Sequence, residues 1–218
     1  IIDLKNGNVY SWTNTLSCSA LDPNDPNCSL DEIDSAAIDP STGIVMMADE
    51  FSPYYILFDM GQSTFSSTNF SAPYYMLYLS GLIGGDYTGT AIDPNSHIAF
   101  IEQEYGNGIA AVQLPTSSGT GGVFPASTTW QYAYSNVPSN SVCSNPYWED
   151  PGDPHGLSVF TTSSSGIPYG MVISSDKSCI AVVNLEGFLN SATAGSNYVD
   201  PNSLLSNGDI YFIGINTQ

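Results

Sequence analysis

The densest gathering of reactive side chains is the run Trp148-Glu149-Asp150-Pro151-Gly152-Asp153-Pro154-His155-Gly156, which sets aspartates beside one of only two histidines. A carboxylate-oriented imidazole works as a general base or a metal ligand. His155 with Asp150 or Asp153 is therefore one candidate site, and a turn in which a partly buried histidine bonds a carboxylate is the plainer alternative. A second candidate is the acidic stretch from Asp22 to Asp34, where Asp22, Asp25 and Asp31 crowd oxygen ligands of the kind calcium takes. Asp25, Asn27, Ser29 and Asp31 alternate as ligands would, but Leu30 stands where a calcium loop needs Gly and Ala36 where it needs its closing Glu. Calcium as a cofactor and a solvated acidic loop both stay open.

Two further sets are polar or aromatic. Asp49 with Glu50, Glu102 with Glu104 and Asn184 with Glu186 close strand-like runs, as a shared acidic rim or as charged protection of strand edges. Tyr54 and Tyr55, and again Tyr74 and Tyr75, recur in the near-identical settings Ser-Pro-Tyr-Tyr-Ile-Leu-Phe and Ser-Ala-Pro-Tyr-Tyr-Met-Leu-Tyr. Exposed, they would bind a glycan or a protein partner with little loss of side-chain entropy; otherwise they are ordinary sheet packing. The sequence has no Gly-x-Ser-x-Gly elbow, no phosphate-binding glycine loop with a lysine and no haem motif.

The elements that must position these groups are strands. Three segments align without gaps: Ala37-Ile38-Asp39-Pro40 to Asp49, Ala91-Ile92-Asp93-Pro94 to Gln103, and Val172-Ile173-Ser174-Ser175 to Asn184. Each is an apolar run, a polar turn and a second apolar run, which predicts β-hairpins of one kind on equivalent inner strands. The first two are followed by a third strand, Tyr55 to Asp59 and Ile109 to Leu114, and by an aromatic fourth, Tyr74 to Leu79 and Trp130 to Tyr134. Leu157 to Thr161 supplies extra strand material in the longer second interval. Asp-Pro-Asn at Asp22, Asp25, Asp93 and Asp200 fits a type I turn, with Asp accepting from the backbone and Pro pre-setting φ. No amphipathic helix is expected.

Four antiparallel strands per repeat make the blade of a β-propeller. Pro168-Tyr169-Gly170-Met171-Val172-Ile173-Ser174-Ser175-Asp176, followed by Cys179 to Asn184, resembles the NHL, YVTN and lactonase-like propeller repeats, with the two Ala-Ile-Asp-Pro copies as further matches. The resemblance implies an all-β fold of propeller-like four-stranded blades. About three full repeats are expected, plus strand material at the two termini, Asn8 to Trp12 and Asp209 to Ile215, which either complete one blade together or belong to a larger ring. Residues 1–218 are then a single domain. The resemblance also implies an alternative function: a hydrolase or lyase using a divalent metal or His155 at the channel mouth.

Charge narrows the partners. Asp and Glu total 21 against Lys5 and Lys177, with no Arg, for a net charge of −19. Neutralising phosphates needs Lys and Arg, so a nucleic-acid or anionic-membrane partner is disfavoured. No apolar run approaches the roughly 18 residues that span a bilayer. Charged residues make up only 11% of the chain, below the roughly 25% of ordinary domains; together with 21 unpaired-looking carboxylates this suggests an acidic setting in which they protonate. Stability is then expected to rise as pH falls. The chain opens at Ile1 on strand-like material, so a processed or longer protein is expected. Cys18, Cys28, Cys143 and Cys179 fit no CxxC zinc spacing. The expected disulfides are Cys18 with Cys28, closing a short loop for roughly 2–3 kcal/mol, and Cys143 with Cys179. The leading expectation is a secreted, non-catalytic binding or assembly module, with a protein, glycan or second copy as partner.

Overall fold

A computed structural model describes residues 4–12, 33–49, 54–78, 87–103, 108–119, 124, 130–138, 156–174, 179–192 and 196–214. Three four-stranded antiparallel sheets account for most of them, each a meander in chain order. The first sheet runs β2 (Ile33–Asp39), β3 (Ile44–Asp49), β4 (Tyr54–Asp59) and β7 (Tyr74–Tyr78). The second runs β8 (Tyr87–Asp93), β9 (Ile98–Gln103), β10 (Gly108–Gln113) and β11 (Tyr132–Asn136). The third runs β12 (Gly156–Thr161), β13 (Pro168–Ser174), β14 (Cys179–Asn184) and β15 (Ile210–Gly214). A small sheet orders β1 (Ser11–Trp12), β6 (Asn69–Ser71) and β5 (Thr64–Phe65), with β1 parallel to β6. The leading strands β2, β8 and β12 lie side by side, so the sheets stack face on face in chain order.

That stacking explains the hydrophobic patterns. The second sheet is covered on both faces, and its strands read as continuous apolar runs. On β9, Ala99 and Ile101 face the first sheet's Ile44, Met46, Tyr55 and Leu57, while Ile98 and Phe100 face the third sheet's Val172, Ala181 and Val183. β14 is covered on one face only and alternates: Cys179, Ala181 and Val183 are buried, Ile180 and Val182 half-buried. The far face of the third sheet carries Phe160, Ile173, Tyr211 and Ile213, all well exposed, with Phe160 stacked on Tyr169 at 5.5 Å.

Two hairpins of the predicted kind hold the same register, Asp39 opposite Ile44 and Asp93 opposite Ile98. The third needs correction. Ser174 does pair with Cys179, but β13 and β14 are the second and third strands of their sheet. The true counterpart of the first two turns is Thr162 to Ile167. There Gly166 N–H donates to Thr162 O at 2.8 Å, as Gly43 does to Asp39 O at 2.8 Å and His97 to Asp93 O at 2.9 Å. Gly43, His97 and Gly166 all have positive φ. A Thr-Ser-Ser-Ser-Gly turn replaces Asp-Pro, so apolar spacing drew the alignment one strand outward. The terminal strand material does not complete one sheet among the described residues: β15 closes the third sheet and β1 joins the small one.

Two short helices replace expected loop. In α1 (Leu185–Ser191) the Asn184 side chain accepts from Gly187 N–H, and Leu185, Phe188 and Leu189 form a buried stripe. In α2 (Pro201–Asn207) Asp200 accepts from Asn202 N–H, Pro201 opens the helix, and Gly208 at φ 72° ends it. The Asp-Pro-Asn that read as a turn is here a helix start, because both begin with the same carboxylate-to-amide bond.

Gly170 on β13 lies flat against the Phe100 ring, and a Cβ at that position would overlap the ring carbons. Gly170→Ala should cost about 1–3 kcal/mol in thermal denaturation, and the penalty should shrink in a Phe100→Leu background, where the ring is gone. Equal penalties in both backgrounds would show that the ring is not what excludes the side chain.

Candidate functional site

The functional groups collect at one end of the stacked sheets, where three turns each bury an aspartate. Asp39 is fully buried; Asp59 and Asp93 are each 2% exposed. Each binds its own turn and then reaches the next sheet. Asp39 Oδ1 accepts from Ser41 N–H at 2.9 Å and Ser41 Oγ at 2.6 Å, while Oδ2 lies 2.6 Å from Nδ1 of His97 in the second sheet. Asp93 Oδ2 accepts from Ser96 N–H at 2.9 Å and Ser96 Oγ at 2.7 Å, and its Oδ1 from Thr161 Oγ1 of the third sheet at 2.6 Å. Asp59 Oδ2 accepts from Ser118 N–H at 2.8 Å, Ser118 Oγ at 2.7 Å and Gln62 Nε2 at 2.9 Å.

Burial alone would raise these pKa values, but the hydrogen bonds outweigh it. For Asp39 the bonds from Ser41, His97 and Thr42 bring the pKa below the ordinary 3.8. For Asp59 Ser118 and Gln62 do so, and for Asp93 Thr161, Ser96 and Asn95. Asp39 is therefore ionised and can only accept, so Nδ1 of His97 carries the proton. Ser41 Oγ is bonded to Asp39 and not to the imidazole, so the three do not make a nucleophilic triad. They clasp one sheet to the next.

Beside the clasp is a cavity of about 300 Å³ lined by Ser96, Ile98, Gln113, Gln131, Glu186, Leu189 and Asn190. Ser96 and Ile98 flank the positive-φ His97, Gln113 ends β10, Gln131 precedes β11, and α1 crosses over from the third sheet to supply Glu186, Leu189 and Asn190. Gln113 Nε2 donates to Ser96 O at 2.8 Å and His97 O at 3.3 Å, and Gln131 Nε2 donates to Leu189 O at 3.3 Å. The turn that carries the clasp thus also shapes the cavity.

The sequence candidates fare differently. His155, Asp150, Asp153, Asp22, Asp25, Asp31, Cys18, Cys28 and Cys143 lie outside the described residues. Cys179 is fully buried at the start of β14 and disulfide-bonded, its other half also outside them. The tyrosines do not form the exposed patch that a ligand surface requires: Tyr54 and Tyr55 are buried, because β4 is covered on both faces. Tyr75 packs on Trp130 at 5.1 Å and Phe124 at 6.1 Å, leaving Tyr74 at the surface. Asp49 and Glu102 are buried, Asn184 caps α1, and of that set Glu186 stands exposed at the cavity. His97 and the two glutamines were missed. The one signal for His97 was its place in the repeat, where the first copy has Gly43.

No family model matches the chain, and no curated protein does. Among solved structures, a chain in the "Complex of KlAtg21 with coiled-coil of AgAtg16" shares 9% identity over 86% of this chain and 43% of that one, with a TM-score of 0.45. This chain therefore spans less than half of that chain's length, and so low a TM-score carries no inference about fold or function. Among the described residues no helix is long and apolar enough to cross a membrane, and no group of three His, Cys, Asp or Glu side chains gathers as metal ligands.

The clasps give a pH dependence whose sign is fixed. Carboxylates with lowered folded pKa stabilise the fold above their unfolded value, and that contribution is lost as pH falls through the folded value. Thermal midpoints at fixed ionic strength should therefore drop as pH is lowered below 3.8, opposing any gain from relieved surface repulsion. Asp59→Asn should cost about 2–3 kcal/mol at neutral pH and flatten that acid limb; an unchanged limb would mean that other groups carry it.

Proposed function

We propose that this chain is a non-catalytic, extracytoplasmic binding and assembly module whose scaffold is three adjacent blades of the β-propeller type. The propeller reading is supported by the meander order, the neighbouring leading strands and the turn repeated at 39–43, 93–97 and 162–166. The observation that carries the binding reading is the cavity between the 96–98 turn and α1. Its polar side chains, Ser96, Gln113, Gln131, Glu186 and Asn190, set hydrogen-bonding groups around the apolar Ile98 and Leu189, a lining suited to a polar ligand rather than an apolar one. The groups nearby that resemble catalytic ones, Asp39, Ser41 and His97, are committed to one another.

Saturation-transfer NMR with a panel of small polar ligands tests this. Binding that is weakened by Gln131→Leu is expected. Turnover of a lactone or ester that scales with protein and vanishes in His155→Ala would replace the reading with the hydrolase alternative.

The assembly half rests on the exposed apolar face of the third sheet, Phe160, Ile173, Tyr211 and Ile213. The first and second sheets, and the second and third, already stack through faces of this kind, so the occupant proposed is a sheet of a second copy continuing the stack. Sedimentation equilibrium should find a concentration-dependent dimer that Ile213→Lys shifts to monomer; a wild-type monomer at 100 μM on the order of usual dimer affinities would remove the assembly half.

A further inference from the structure

We infer that the cavity at Glu186 recognises an alkylammonium group. The inference rests on the binding reading above and names the chemistry of the ligand.

It follows from which hydrogen-bonding capacities remain unused. The Nε2 atoms of Gln113 and Gln131 lie against main-chain carbonyl oxygens, which can only accept, so chemistry fixes both amide orientations. Each glutamine is left with its Oε1 atom, which accepts no hydrogen bond among the described residues. Ser96 donates its hydroxyl proton to Asp93 and keeps its lone pairs. Glu186 is exposed and adds the one charged side chain among the described residues of the lining. All five polar side chains described in the lining therefore offer acceptors, and the donors to spare are the Asn190 amide and the second N–H of Gln131. Among the described residues no Lys, Arg or His lines the cavity.

A donor-rich, positively charged ligand matches such a wall. A primary ammonium has three N–H donors and no acceptor, and its alkyl stem would lie along Ile98 and Leu189. A neutral sugar hydroxyl can place a lone pair on the Asn190 amide or the second Gln131 N–H, but it leaves the Glu186 charge uncompensated. A carboxylate or phosphate would meet Glu186 with like charge. The net charge of −19 further favours a cationic ligand by raising its local concentration. The same chemistry is presented by a free aliphatic amine and by a lysine side chain of another protein.

Titration with 1,5-diaminopentane, with an Ac-Lys-NHMe peptide unit and with the neutral 1-pentanol, followed by calorimetry and amide NMR near physiological salt, separates the outcomes. Saturable binding of at least one amine is expected, with shifts at residues 96–98 and 186–190 and no comparable binding of the alcohol. Tighter binding of the diamine would favour a free amine, and tighter binding of the peptide unit a lysine-bearing partner. Glu186→Gln should weaken amine binding about fivefold, as expected for a partly exposed ion pair. Gln131→Leu, an independent exposed position, should also weaken it. Amine affinity unchanged in both variants would mean diffuse counterion binding and would overturn the inference. Binding of the alcohol or a neutral sugar with the same cavity shifts would overturn the amine class while leaving the binding module intact. Silence of the cavity toward every probe would overturn both.

Discussion

A buried carboxylate has to be satisfied in full or it destabilises the fold, and for Asp39, Asp59 and Asp93 that requirement is met between sheets. Asp39, Asp59 and Asp93 each spend part of their acceptor capacity on their own turn and the remainder on a donor from the following sheet or its loop. Removing any neighbour would strand a charge away from water, at a cost far above that of a lost neutral hydrogen bond. The stacking of the sheets is thus fixed at one end by charge and along its length by apolar faces. The two constraints are complementary: side-chain burial favours face-to-face contact in many registers, whereas hydrogen bonds of 2.6–2.8 Å between sheets allow one.

The middle sheet bears most of this load. Its turn receives Asp39 through His97 and reaches the third sheet through Asp93, and its loop supplies Ser118 to Asp59. Its faces are built from Ala99, Ala110, Ala111 and Ala133 among larger residues, which lets the flanking sheets approach closely. Phe100 against Gly170 is the limit of that approach, where a side chain on one strand fits only because the facing strand has none. The cavity lies where this regular stacking ends: α1 leaves the third sheet and lies across the end of the second, and the space under it is lined by whatever the turn and the helix do not use.

Much of the architecture was legible because its signals are local. Strand alternation, the third and fourth strands of the first two sheets, and the Asp-Pro turns each depend on residues close in sequence, and the Asp39 and Asp93 carboxylates do accept from their own turns. The third repeat was misplaced because hydrophobic spacing repeats every strand, so a shift by one strand leaves the pattern intact; the turn chemistry of Thr162 to Gly166 decides the matter, and it shares no carboxylate with the other two. The helices were overlooked because seven residues with one buried stripe are too short for periodicity to separate them from loop.

The sequence by itself determined the mostly β class, the four-stranded unit, a strongly acidic composition and the aspartate-led turns, since each follows from residue type and spacing within one element. Tertiary structure alone decided that Tyr54 and Tyr55 face the core, that His97 meets Asp39 across 58 positions of chain, and that two glutamines, a serine and Glu186 share one cavity. Those outcomes depend on which face of a sheet is covered and which turns become neighbours. Period-two alternation names the two faces of a strand but does not say which of them another sheet will cover.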